Sequence, residues 1–227
     1  RMVIIKNLDK LNEVVNIDNF VQGIIPSLVE ISDNNNWRVR CQVEETVPVF
    51  ARIVNKKLFF ESIMPICLKW LTDPVYAIRQ RACKIMVRLY DIFKGEDFEK
   101  QLLSKVSSMA KNDSYLIRIT AVILIREFLV DNYEIDDFME KKLFPYISKL
   151  SDDNIPNVRQ ACSIAVKKLV RLSKNKDVVK ECKSILLPAT PNIISKSALS
   201  FTVLYQYSLS FSNVSFFVIS KTNKHNL

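Results

Sequence analysis

Glycine occurs only at Gly23 and Gly95, and histidine only at His225, in a chain of 227 residues. A phosphate- or dinucleotide-binding loop needs clustered glycines so that the backbone can close on the anion, and two glycines 72 residues apart cannot make one. A Ser-His or Cys-His catalytic pair would have to be assembled around the third residue from the C-terminus, so the reading is of a non-enzymatic chain. The five cysteines, Cys41, Cys67, Cys83, Cys162 and Cys182, form no C-x-x-C pair and have no neighbouring histidine, so no zinc-ligand spacing exists. They read as small buried thiols of a reducing compartment, the cytoplasm first and the nucleus second. No cofactor and no metal are expected. The first residues, Arg1-Met2-Val3-Ile4-Ile5-Lys6, read as the middle of a helix rather than as a signal peptide. A block of one charge sign is also missing. Lys and Arg total 33 against 24 Asp and Glu, for a net charge of +9, yet they are interleaved with acids such as Glu44-Glu45, Glu96-Asp97 and Asp152-Asp153. No basic stripe is expected from this pattern, and no nucleic-acid partner.

What the chain does have is an internal repeat. Arg1, Arg40, Arg79, Arg118 and Arg159 mark it, at spacings of 39, 39, 39 and 41. An acid stands shortly before each of the last four: Asp33, Asp73, Asp113 and Asp153. Apolar residues fall in phase three, seven and ten positions after each arginine, as in Val43, Val47 and Phe50 or Ala82, Met86 and Leu89. Those offsets trace one face of an α-helix. A second set lies nine, twelve and sixteen positions before the arginines, as in Trp70, Cys67 and Ile63 or Leu150, Ile147 and Leu143, and defines a second amphipathic helix per repeat. Pro26, Pro65 and Pro145 recur fourteen before the arginine, with Ser104 in the remaining copy. A proline there removes a backbone hydrogen bond and bends the first helix.

Each unit is therefore helix A, a short turn with the acid, and helix B opening near the arginine. One such pair cannot bury its apolar face, so the copies must stack. The expected fold is all-α: a solenoid of antiparallel helix pairs, with a half repeat at 1–16, repeats at about 17–55, 56–94, 95–136 and 137–175, and the start of another at 176–186. The period, the helix-A proline and the Asp…Arg spacing resemble HEAT repeats. Asp33, Asp73, Asp113 and Asp153, with Arg40, Arg79, Arg118 and Arg159, are expected to form a ladder of charge-assisted hydrogen bonds between neighbouring turns. Three residues before the arginines stand Trp37, Tyr76 and Tyr115, a row of aromatics expected in the turns, either as a contact line for a protein partner or as caps on the helices beneath.

The turn sequences Asn36-Trp37-Arg38-Val39-Arg40, Trp70-Leu71 through Asp73-Pro74-Val75-Tyr76-Ala77-Ile78-Arg79, Met109-Ala110 through Tyr115-Leu116 to Arg118 and Thr120, and Pro156-Asn157-Val158-Arg159 resemble successive repeats of the scaffold (A) subunits of protein phosphatase 2A. Asn7-Leu8-Asp9 and Asn12-Glu13-Val14 are similar as well. The resemblance runs from Arg1 to about Leu186. In family terms it covers the second helix of the tenth repeat, the eleventh to fourteenth repeats and the start of the fifteenth. It implies a scaffold whose turns hold the phosphatase catalytic subunit, while regulatory subunits bind repeats that are not in this sequence. Partner contacts would then fall on Trp37, Arg38, Tyr76, Tyr115, Asn157 and Val158, with Pro156 changing the chemistry of the fourth turn. A different HEAT-repeat adaptor, for transport or chromosomes, is the alternative within solenoids. Its partner would use the inner surface.

After Leu186 the repeat pattern stops at Leu187-Pro188-Ala189-Thr190-Pro191. The stretch from Ser197 to Ser220 has no charged residue and the length of a membrane span, but its serines, Gln206 and Asn213 dilute its apolar content. A membrane-attached adaptor is thus the lesser reading. Residues 187–227 are expected to be a divergent tail, without regular structure, of the kind a misjoined gene model produces.

Overall fold

In the computed structural model, residues 17–129 and 135–186 are described. The half repeat at 1–16, the first marker Arg1 and the tail at 187–227, with its span-length segment and His225, lie outside the described residues. The described part is an α-solenoid of stacked antiparallel helix pairs, with no strand among its residues. The first pair is α1 (Ile17–Ser32) and α2 (Trp37–Ile53). A helical turn (Lys56–Leu58) leads to α3 (Met64–Trp70) and then α4 (Tyr76–Phe93). Next come α5 (Glu96–Ala110) with α6 (Tyr115–Phe128), α7 (Phe144–Leu150) with α8 (Pro156–Leu172), and α9 (Lys176–Leu186). The second helices α2, α4, α6 and α8 pack successively on one another as one layer.

The in-phase apolar residues form the core. Val43, Val47 and Phe50 of α2, Ala82, Met86 and Leu89 of α4, Ala121, Ile125 and Phe128 of α6, and Cys162, Val166 and Leu169 of α8 are all buried. The first helices meet them with Leu28, Ile63, Cys67, Trp70, Leu102, Val106, Met109, Leu143, Ile147 and Leu150, while Ile24 and Ile31 pack half-buried at the edge. Each of the larger side chains contributes roughly 1.5–3 kcal/mol by leaving water.

The prolines act locally, as their chemistry requires. Pro65 and Pro145 lack an N–H to close the ordinary ladder, and each is preceded by a π-helical turn, Phe59–Ile63 and Met139–Leu143, before α3 and α7 start. Ser104 keeps its N–H, and α5 runs unbroken for 15 residues. Gly95 enters α5 at φ +136°, a backbone angle that an L side chain rarely adopts. On the side away from the turns, Tyr90 stacks on Phe138 at 5.5 Å and its hydroxyl donates to Asp136 Oδ2 at 2.6 Å, tying α4 to the segment that enters α7.

Candidate functional site

The four marker arginines among the described residues make the same pair of bonds within their own turn. Nη1 donates at 2.7–2.8 Å to the carbonyl six residues back, that of Asn34, Asp73, Asn112 or Asp153. It donates again at 2.9–3.4 Å to the carbonyl five back, that of Asn35, Pro74, Asp113 or Asn154. The side-chain oxygen six back in turn accepts from the N–H of Asn36, Val75, Ser114 or Ile155 at 2.8–2.9 Å, an Asx turn that sets up the helix start. A turn closed this way holds every second helix in the same rotation, so equal offsets from the arginine fall in the same rows along the layer.

This geometry corrects the expected ladder. The position that links turns is six before the arginine, occupied by Asn34, Asp73, Asn112 and Asp153. Arg40 Nη2 reaches Asp73 at 2.9 Å, and Arg118 holds Asp153 through Nε at 2.7 Å and Nη2 at 3.1 Å. Those two pairs are nearly buried. The Arg118 guanidinium keeps the Asp153 carboxyl below the usual carboxylate range. Asp33 and Asp113 stand one residue out of register, seven and five before their arginines, and neither is a rung. Asp33 instead meets Lys69 at 2.7 Å on the exposed side. Arg79 faces a turn with a neutral amide at the rung position, and its Nε donates to the buried Thr120 hydroxyl at 3.1 Å. Arg159 makes the bonds of its own turn.

The residues three before the arginines are also placed differently from the expectation. Trp37, Tyr76, Tyr115 and Pro156 are the first residues of α2, α4, α6 and α8, not part of the turns. Tyr76 is 53% exposed and Tyr115 38%. Trp37 is half-buried against the core, with the exposed Arg38 guanidinium 4.7 Å from its ring centroid. Arg79 lies 5.6 Å from the Tyr76 ring. Asn157 is exposed, but Val158 is a correction: at 0% exposure it faces inward, one residue before the marker arginine, as Ile78 does in α4. Its side chain belongs to the core and offers nothing to a partner.

Two features went unseen in the sequence. Glu44, named above among the acids interleaved with the basic residues, is fully buried, and neither carboxyl oxygen has a hydrogen-bond partner in the structure. Burial pushes its acid up to about 8, with the Asp73 charge adding to it and Arg81, Arg40 and the Cys41 thiol working against it. Four positions after the other arginines stand Cys83, Val122 and Ser163, so the odd residue in the row was the available signal. The second feature is charge. Helices α2, α4, α6 and α8 carry thirteen basic residues and four acidic ones. The first-helix segments and α9 carry eleven and nine. Interleaving along the sequence thus resolves into a basic layer and a balanced one, contrary to the expectation of no basic stripe.

All five cysteines are free and buried. Burial pushes their thiols up, Cys162 to about 12 and Cys182 to about 11, so none is activated as a nucleophile. Among the described residues no group of His, Cys, Asp and Glu could hold a metal ion, and no helix is long and apolar enough to cross a membrane.

Residues 63–93 match the HEAT repeat family model. No curated protein matches the chain. A designed armadillo repeat protein solved in complex with the peptide (KR)4 is 17% identical, with 85% of this chain and 84% of that chain covered and a TM-score of 0.43. A second structure, of computationally designed armadillo repeat proteins for modular peptide recognition, is 16% identical over 80% of this chain and 90% of that one, with a TM-score of 0.37. The chain is an all-α repeat solenoid, similar to a HEAT repeat through α3 and α4.

Proposed function

We propose that the chain is a non-enzymatic scaffold that takes a partner protein along the edge where its second helices begin. The observation that carries this reading is the row of Tyr76 and Tyr115, exposed at one offset in consecutive repeats and continued by Trp37 with Arg38 and by Asn157. Large rigid rings supply contact area at low entropic cost, and an arginine beside them adds directed hydrogen bonds. The partner that the sequence resemblance implies is a protein phosphatase catalytic subunit.

Titration of the full chain with that catalytic subunit by calorimetry tests the reading. Saturable binding is expected, with Trp37→Ala or Tyr76→Ala costing on the order of 2 kcal/mol each. Absence of binding by the parent chain would exclude the phosphatase, and equal affinity of parent and variants would exclude this edge.

A further inference from the structure

We infer that the outward face of the second-helix layer is a docking surface for an extended acidic peptide segment with an apolar middle, lying across α4, α6 and α8. The face follows from register. Core residues lie three, seven and ten after each arginine, and the opposite side of the same helices carries the offsets two before and two, five, nine and twelve after. On α4 those offsets bring Arg81, Lys84 and Arg88 to the surface. On α6 they bring Leu116, 46% exposed, at the start of the helix, while Thr120 and Ile123 further along are buried. On α8 they bring Ile164, 47% exposed, followed by Lys168 and Arg171. Two basic groups thus flank an apolar strip of two exposed side chains, Leu116 and Ile164, on the layer that holds most of the excess positive charge.

The acids on this face are Glu45, Asp91 and Glu127. Arg81 binds Glu45 at 2.6 Å and Arg126 binds Glu127 at 3.3 Å, which leaves Lys84, Arg88, Lys168 and Arg171 against the single acid Asp91 and makes the field positive. Charge complementarity selects an acidic occupant. The apolar strip and the absence of any aromatic ring at these offsets favour a peptide over single-stranded nucleic acid, whose bases need rings to stack on. Helices pack about 10 Å apart, so α4 to α8 is about 20 Å, which an extended chain of about six to eight residues spans.

The test is fluorescence anisotropy of the full chain with a labelled peptide of three glutamates, two leucines and three glutamates. Binding is expected to weaken as salt rises, to weaken when the leucines are replaced by glutamate, and to vanish with lysines for glutamates. The double variant Lys84→Glu with Arg88→Glu should lose at least about tenfold in affinity, as should Lys168→Glu with Arg171→Glu at the other end. Ile164→Asn should weaken binding at unchanged charge. Trp37→Ala, on α2 and outside the span from α4 to α8, should leave it unchanged, which separates this surface from the partner edge proposed above. No binding at about 1 mM peptide, tighter binding of an oligouridine RNA than of the peptide, or full affinity in the charge-reversed variants with unchanged melting temperature would overturn the inference.

Discussion

Glu44 shows how much one side chain can decide. Its acid ionises near 4.5 in an open chain and near 8 in the fold, so folding takes up a proton between those values. Stability conferred by this site is complete below about pH 4.5 and is lost as pH rises through 8. Chemical denaturation between pH 5.5 and 8.5 should therefore show stability falling by a few kcal/mol, and Glu44→Gln should flatten that slope. An unchanged slope in the variant would remove Glu44 from the account. Asp153 works in the opposite sense. Arg118 depresses its acid, so its contribution is present above the usual carboxylate range and is lost on acidification below it. Val158 and its neighbour provide a contrast one bond apart: Val158→Ala should cost about 2 kcal/mol in thermal unfolding, while the exposed Asn157→Ala should stay within about 0.5 kcal/mol. Periodicity could place such residues on a helix, but which one of two adjacent residues points inward depends on where the helix starts. That start is set by the Asx turn, whose acceptor is the acid itself at Asp73 and Asp153 but an asparagine next to the acid at Asn34 and Asn112.

At the scale of the helix, the row of rungs predicts an improvement. Asn112 occupies the position that Asp73 and Asp153 fill at the other junctions, within a turn of the same hydrogen-bond pattern. Asn112→Asp should give Arg79 the missing carboxylate and raise stability by about 1 kcal/mol, read as a higher melting temperature, while Asn112→Ala should lower it by losing the Asx turn. Helix identity was legible because offsets of three, seven and ten survive in every copy. The π-helical turns before Pro65 and Pro145 were not, since a bend can be absorbed as a kink or as a wider turn, and only the packing of Phe59 and Met139 into the core selects the second. The apolar α6 was similarly ambiguous. Its flank reads as core all round, and only stacking between α4 and α8 shows that Leu116 stays outside while Ile123 does not.

For the whole described array, each pair touches its neighbours and little else, so stability is a sum over units and their junctions. Leu102→Ala in α5 should cost roughly 2–5 kcal/mol locally. Hydrogen exchange should then speed up in α3 to α6 and leave α8 nearly unchanged, whereas uniform acceleration would mean the array opens as one. The stacking of helix pairs was readable from the period of 39. The sorting of charge into one layer was not, because interleaved residues at helical spacing land on opposite sides of a stack, and a linear reading averages them. The junctions themselves are unequal: α2 to α4 and α6 to α8 are latched by an ion pair, and α4 to α6 by bonds from Arg79 and Cys83 to the neutral Thr120. An elastic rod with two stiff joints and one soft one does not bend evenly. Under load, the strain should gather at the Arg79–Thr120 seam, and the array should flex there as a pair of levers on one pivot.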